Sequence, residues 1–108
     1  MARFIDIWVN CPDRETAAKI ADACIGERLA ACANIFAPIQ SRYRWKGAVE
    51  QAEEVPLLLK TRAEHFDAVC EVVHPLHPYE VPSITAIEIC DIDQAYADWL
   101  RAETREPA

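Results

Sequence analysis

Residues 39–60 read IQSRYRWKGAVEQAEEVPLLLK. The first seven separate into Ile39, Ser41, Tyr43 and Trp45 on one side and Gln40, Arg42 and Arg44 on the other, which is the period-two alternation of a strand. Lys46-Gly47 then supplies a tight turn. If that turn joins paired strands, Arg42 lies opposite Gln51 and diagonal to Glu53, so the polar faces match in sign. The partner strand continues through EEVPLLLK, and the two make one long hairpin. Pro56 cannot donate to a ladder, so its nitrogen is expected to face away from a partner or to sit at a bulge.

On the N-terminal side, strand character extends back from Trp45 to Leu29. Ile5, Ile7 and Val9 alternate with Asp6 and Trp8, a strand with one strongly apolar face. After Cys11-Pro12-Asp13 the period changes. Ala17, Ile20, Ala21 and Cys24 fall on one helical face, with Gly26 near the helix end. On the C-terminal side, Thr61 and Glu64 form a T-x-x-E capping box, followed by Phe66, Val69, Cys70 and Val73 at helical spacing. That helix is predicted to stop near His74, because the residue before Pro75 is pushed out of the helical region. SITAIEIC, residues 83–90, is a β-branched and nearly continuous apolar run, which predicts a central strand covered on at least one face. Asp93 can cap a last helix presenting Tyr96, Trp99 and Leu100, before a polar tail ending REPA.

The order is β-α-β-β-α-β plus a terminal helix. It predicts an α+β, ferredoxin-like antiparallel sheet with both main helices on one face, a long hairpin between the second and third strands, and a C-terminal helix. Residues 1–108 suit one domain. Strands of about 12 residues are twice the usual length, and a free hairpin of that size would leave an edge bearing Ile39, Tyr43 and Trp45. Another copy of the chain is the expected cover, and a head-to-tail contact that closes makes a ring.

Eighteen acids against eleven bases give a net charge of −7, which repels phosphate backbones and argues against nucleic acid as a partner. The most apolar window, residues 29–39, is far short of the ~20 residues of a membrane span. The start MARFIDIWVN alternates charged and apolar residues, unlike a secretory leader. Five cysteines, at 11, 24, 32, 70 and 90, include no CxxC pair and fit a reducing, cytoplasmic setting. Gly26 and Gly47 are the only glycines, so no phosphate loop exists, and no nucleophile elbow, HExxH or paired-carboxylate motif points to catalysis. The expectation is a protein that is not an enzyme, with no catalytic residues assigned.

ERLAACANI, SRYRWKGAVEQAEEVPLLLKT, HPYEVP and YADWL, in this order and spacing from about Ile5 to Leu100, resemble the CutA family of divalent-cation tolerance proteins. The resemblance implies a ferredoxin-like subunit in a homotrimer whose hairpins reach across to neighbours. It also implies a link to copper or other divalent cations and to metal tolerance. Members described as copper-binding use a cysteine at the end of the first strand and two adjacent histidines ahead of Pro-Tyr. Here Val9 stands at the aligned strand position with Cys11 two residues on, Leu76 replaces the first histidine, and His77 is retained.

HPLHPYEVP, residues 74–82, has two readings. His77, with His74 or a cysteine, donates imidazole nitrogen to copper or zinc; or both histidines cap the last carbonyls of the second helix while Pro78 and Pro82 steer the chain onward. Cys11 and Cys32 are metal-ligand or nucleophile candidates with His77, set against the ordinary role of cysteine as a small buried hydrophobe. Cys24 and Cys70 sit on apolar helix faces and read as packing. Tyr43, Trp45, Tyr79 and Glu80 mark an inter-subunit cleft or interface. Glu50, Glu53 and Glu54 read as a solvated face beside Arg42 and Arg44, the rival being recruitment of cations. Two rival functions remain: a trimeric small-molecule sensor resembling the PII signalling proteins, and an enzyme using a cysteine thiolate with His77.

Overall fold

The computed structural model describes residues 3–107; Met1, Ala2 and Ala108, the ends of the MARF start and the REPA tail, lie outside them. The elements are β1 (Phe4–Cys11), α1 (Arg14–Gly26), β2 (Cys32–Ile35), β3 (Ile39–Trp45), β4 (Ala48–Arg62), a 3-10 turn (Ala63–His65), α2 (Phe66–Leu76), β5 (Ile84–Ile89) and α3 (Gln94–Glu103). The sheet runs β2-β4-β1-β5, with β3 paired to the outer half of β4 and every pairing antiparallel. This is the ferredoxin-like α+β architecture that the element order predicts.

Odd-numbered residues of β1, Ile5 to Cys11, meet Val55, Leu57 and Leu59 of β4 under Ala17, Ile20, Ala21 and Cys24 of α1 and Val69 and Val73 of α2. One face of the sheet thus carries both main helices. The other face is covered only in part, by Ala97 and Leu100 of α3 on Phe4. Beyond α3 it leaves Trp8 stacked on Phe36, with ring centroids 5.2 Å apart, and an Asp6–Lys60 pair at 3.0 Å. Two long-range clamps hold α3 and the tail. The buried guanidinium of Arg62 donates to the carbonyls of Arg101 and Thr104, and Arg28 Nη2 donates to the carbonyl of Ala102.

The hairpin is one continuous ribbon only on the β4 side. Ile35 pairs with Leu57 but Ile39 with Glu54, four steps against three, so Phe36-Ala37-Pro38 carries an extra residue opposite Pro56. The proline therefore sits where the ladder is already broken. Arg42 lies opposite Gln51 as the turn demands, and Lys46 and Gly47 both take positive φ, 50° and 82°. Two consecutive left-handed residues are the geometry whose twist matches paired strands. The ribbon draws the molecule out to 44 × 26 × 23 Å.

Three expectations are corrected. The Thr61–Glu64 capping box does not form: Thr61 is still in β4, its hydroxyl donates to the carbonyl of Leu29 at 2.6 Å, and neither Arg62 nor His65 caps with its side chain. α2 runs on through Pro75 to Leu76, since a proline in the last turn forfeits one bond and the His77 amide still closes on the carbonyl of Val73 at 2.9 Å. β5 is an edge strand, not a central one, and Ile87 is 58 % exposed. α1 ends at Gly26 as expected, and the left-handed residue that follows it is Arg28 (φ 56°).

Candidate functional site

Where the arm leaves the body, strand alternation sends Ile39, Ser41, Tyr43 and Trp45 toward the same side as Glu54. The loop 79–83 faces them. Between the two lies an open cleft of about 770 Å³, with Tyr43 and Trp45 on one wall, Tyr79, Glu80 and Pro82 on the other, and Asn10 and Glu54 deeper in. The four residues read from sequence as cleft or interface therefore border one concavity. Lys46 at the arm's tip reaches Glu80 across it at 3.7 Å and stands 5.5 Å from the Trp45 ring centre. Both charged groups of that pair are largely exposed, so it strengthens the closure little.

His77 sits behind the cleft and is buried. Its Nδ1 accepts from the amide of Tyr79 at 3.2 Å, which leaves the proton on Nε2, donated to the carbonyl of Asn10 at 2.8 Å. The ring thus ties the end of β1 to the loop after α2, and its plane tilts against Tyr79 with centroids 4.7 Å apart. Only the backbone of His77 caps α2; the exposed His74 lies one turn back. In this arrangement both ring nitrogens of His77 have backbone partners, Asn10 and Tyr79, and neither caps the helix.

Cys11 continues β1, so its side chain enters the core and is fully buried. Burial, with Asp13 and Glu54 adding repulsion, pushes its thiol up to about 11. A thiol held that high is protonated near neutrality and is neither a ready ligand nor a ready nucleophile. Cys24 is likewise pushed up to about 11 by burial. Cys32 lies elsewhere. It pairs with Lys60 of β4 while Cys11 pairs with Val55, five residues or roughly 16 Å along the strand. Within one subunit His77 and Cys11 are brought close and Cys32 is not. Among the described residues no three His, Cys, Asp or Glu side chains gather as a metal site would require.

Two residues matter here that the sequence did not single out in this role. Asn10 contributes a backbone carbonyl, which no sequence pattern advertises. Glu54, read as part of a solvated face, is only 6 % exposed, while Glu50 and Glu53 are exposed. The hint was available: the burial-demanding run VPLLL begins at the next residue, so the strand enters the body there. The carboxylate in turn raises the Tyr79 phenol, which burial first and then the neighbouring Glu54 push up to about 12.

Comparison with known proteins extends over the same span. The family model described as CutA1 divalent ion tolerance protein matches residues 5–103. A divalent-cation tolerance protein CutA of Thermus thermophilus is 44 % identical over 91 % of this chain and 95 % of its own length. One of Pyrococcus horikoshii is 37 % identical over 95 % of this chain and 100 % of its own. The solved structure of the Thermus thermophilus protein superposes with a TM-score of 0.91 at 42 % identity, covering 94 % of this chain and 99 % of that one. With the fold, the arm and the loop all within the matched span, the chain belongs to the CutA1 divalent ion tolerance protein family.

Proposed function

We propose that the chain works in the cytoplasm as a homotrimer that binds a divalent metal ion, copper in the first instance, and takes part in tolerance to metal ions. The observation that carries the metal reading is the bond from the His77 ring to the carbonyl of Asn10, which brings an imidazole to the residue next to Cys11 at the end of β1. These are soft and borderline donors of the kind copper prefers. Two donors are not a finished centre, so solvent or a neighbouring copy supplies the rest. Binding must also displace the Cys11 proton and break one His77 hydrogen bond, which makes the affinity moderate to low and raises it with pH.

The trimer is supported by free sheet edges among the described residues. β5 exposes Ile87 at one side and β3 exposes Ile39, Tyr43 and Trp45 at the other. Edges of this kind are covered in stable proteins, and a contact from one edge to the other of the next copy closes into a ring. Light scattering should return three times 12.2 kDa, about 37 kDa; a mass near that of one chain at micromolar concentration would refute it. Copper titration by calorimetry under reducing conditions, on the wild type and on His77→Ala, tests the metal site. Loss of binding in the variant is expected, and equal binding by both proteins removes His77 as a ligand.

A second reading is favoured by the cleft itself: a sensor that binds a small molecule between subunits, in the manner of the PII-like proteins. A volume of about 770 Å³ is in the range of small-molecule sites. The family description names tolerance and no reaction, and a Cys11 thiol that stays protonated gives a thiolate mechanism nothing to start from.

A further inference from the structure

The acid at the bottom of the cleft has no counter-charge. Glu54 is 6 % exposed, and among the described residues no lysine, arginine or histidine forms an ion pair with it. Tyr79 offers its carboxylate a hydrogen bond, but that is a neutral dipole. A carboxylate taken out of water without a cation carries a desolvation penalty that a dipole offsets only in part. Arg42 and Arg44 border the cleft, but strand alternation sends their side chains to the side of β3 opposite to Tyr43, Trp45 and Glu54, and Lys46 lies at the rim beside Glu80.

What surrounds the acid is aromatic. Tyr43, Trp45 and Tyr79 present ring surface to the cleft, and ring faces attract cations and repel anions. A bare divalent ion suits the place poorly, since hard ions want six or more oxygen ligands and the floor supplies one carboxylate. An ammonium or guanidinium group on an apolar body suits it well, with its charge on the acid and its body on the rings.

We propose that the cleft is a binding site for a small organic cation, an alkyl or arylalkyl ammonium or guanidinium compound, whose charge pairs with Glu54 while its apolar part lies against Tyr43, Trp45 and Tyr79. This rests on the sensor reading only in requiring a cleft open to small molecules in the assembled protein. It is independent of copper at Cys11 and His77.

Calorimetry on the full chain in its native assembly at pH 7 decides it, with three probes of one shape: 2-phenylethylammonium, 2-phenylethanol and 3-phenylpropanoate. The ammonium is expected to bind at least about tenfold more tightly than the alcohol, with the anion weakest. Glu54→Gln should abolish the ammonium's advantage. If the alcohol or the propanoate binds as tightly as the ammonium, the cation class is wrong and a ligand cleft survives. If no probe binds up to about 10 mM, the cleft reading falls too, which is the outcome when a second copy fills it. If copper or magnesium chloride displaces the ammonium through Glu54, the site is inorganic and the proposal is overturned. Should Glu54→Gln fail to fold, the three probes on the wild type, with the ring-current shift of the methylene protons beside the ammonium, still decide: equal affinities or unshifted protons overturn it.

Discussion

From Val55 to Arg62 nearly every residue of β4 is buried, whereas from Ala48 to Glu53 nearly every residue is exposed, although the two stretches are one uninterrupted strand. The inner half has β1 on one edge, β2 on the other and two helices across one face. The outer half has only β3. A two-stranded ribbon without a packed face is marginal in water. The stability of the inner half is therefore internal to the subunit, and the outer half draws its order from what lies beyond it, which on the proposed trimer is the next copy.

The largest effect should fall on the inner half. Leu59 is fully buried between β1 and β2, and Leu59→Ala should lower unfolding free energy by about 3 kcal/mol, read as a shifted urea midpoint with unchanged slope. A change below about 1 kcal/mol would mean that the inner half is not the core that the contrast requires.

Alkaline pH should reach the same half by another route. Below pH 9 the Cys24 thiol is protonated in folded and unfolded chains alike. Between its ordinary value of 9.0 and the value of about 11 that burial gives it, the unfolded chain loses the proton and the folded one keeps it. Stability is thus intact at neutral pH and falls as pH rises through this window, by about 2 kcal/mol at its upper end. Cys11 adds a fall over the same window. Urea midpoints of wild type and Cys24→Ala between pH 8 and 11 check this: the variant should show the shallower decline, and parallel curves would separate the thiol from the core.

In the outer half the expectation changes in kind. Trp45→Ala removes an aromatic that is 37 % exposed in the single subunit, so the fold of the subunit should barely notice. Assembly should weaken by about 2 kcal/mol, the loss expected of an anchor residue at an interface. Sedimentation over a dilution series would register the loss as dissociation at higher concentration than the wild type. Unfolding of the subunit itself in place of dissociation would erase the distinction between the halves.

The contrast also explains what the sequence could say. Alternation in residues 39–45 and the Lys46-Gly47 turn carry register directly, so Arg42 opposite Gln51 was legible. The apolar run at 83–90 reports only that its residues need burial. It does not say whose atoms bury them, and a strand that looks central by composition stands at an edge, as Ile87 does. Glu54 fails in the opposite direction: a charge read as solvated is enclosed because the chain folds over it from residues 79–83, a distance in sequence that no local pattern spans. Cys11 and Cys32 could not be told apart by spacing, since only the register along β4 puts one beside His77 and the other far from it.

The smallest expected effect tests the point where strand and helix were confused, at the inner end of β4. T-x-x-E is the signature of a capping box, and if it formed, Thr61→Val and Glu64→Ala would each remove one of two reciprocal bonds and cost similar amounts. The structure separates them. The Thr61 hydroxyl is buried on the carbonyl of Leu29, so Thr61→Val leaves that acceptor unpaired and should cost about 1–2 kcal/mol. Glu64 is exposed with no capping role at its helix start, so Glu64→Ala should stay within about 0.5 kcal/mol. Equal losses from the two variants would return Thr61 to the helix and shorten the buried half of β4 by the residues that define its end.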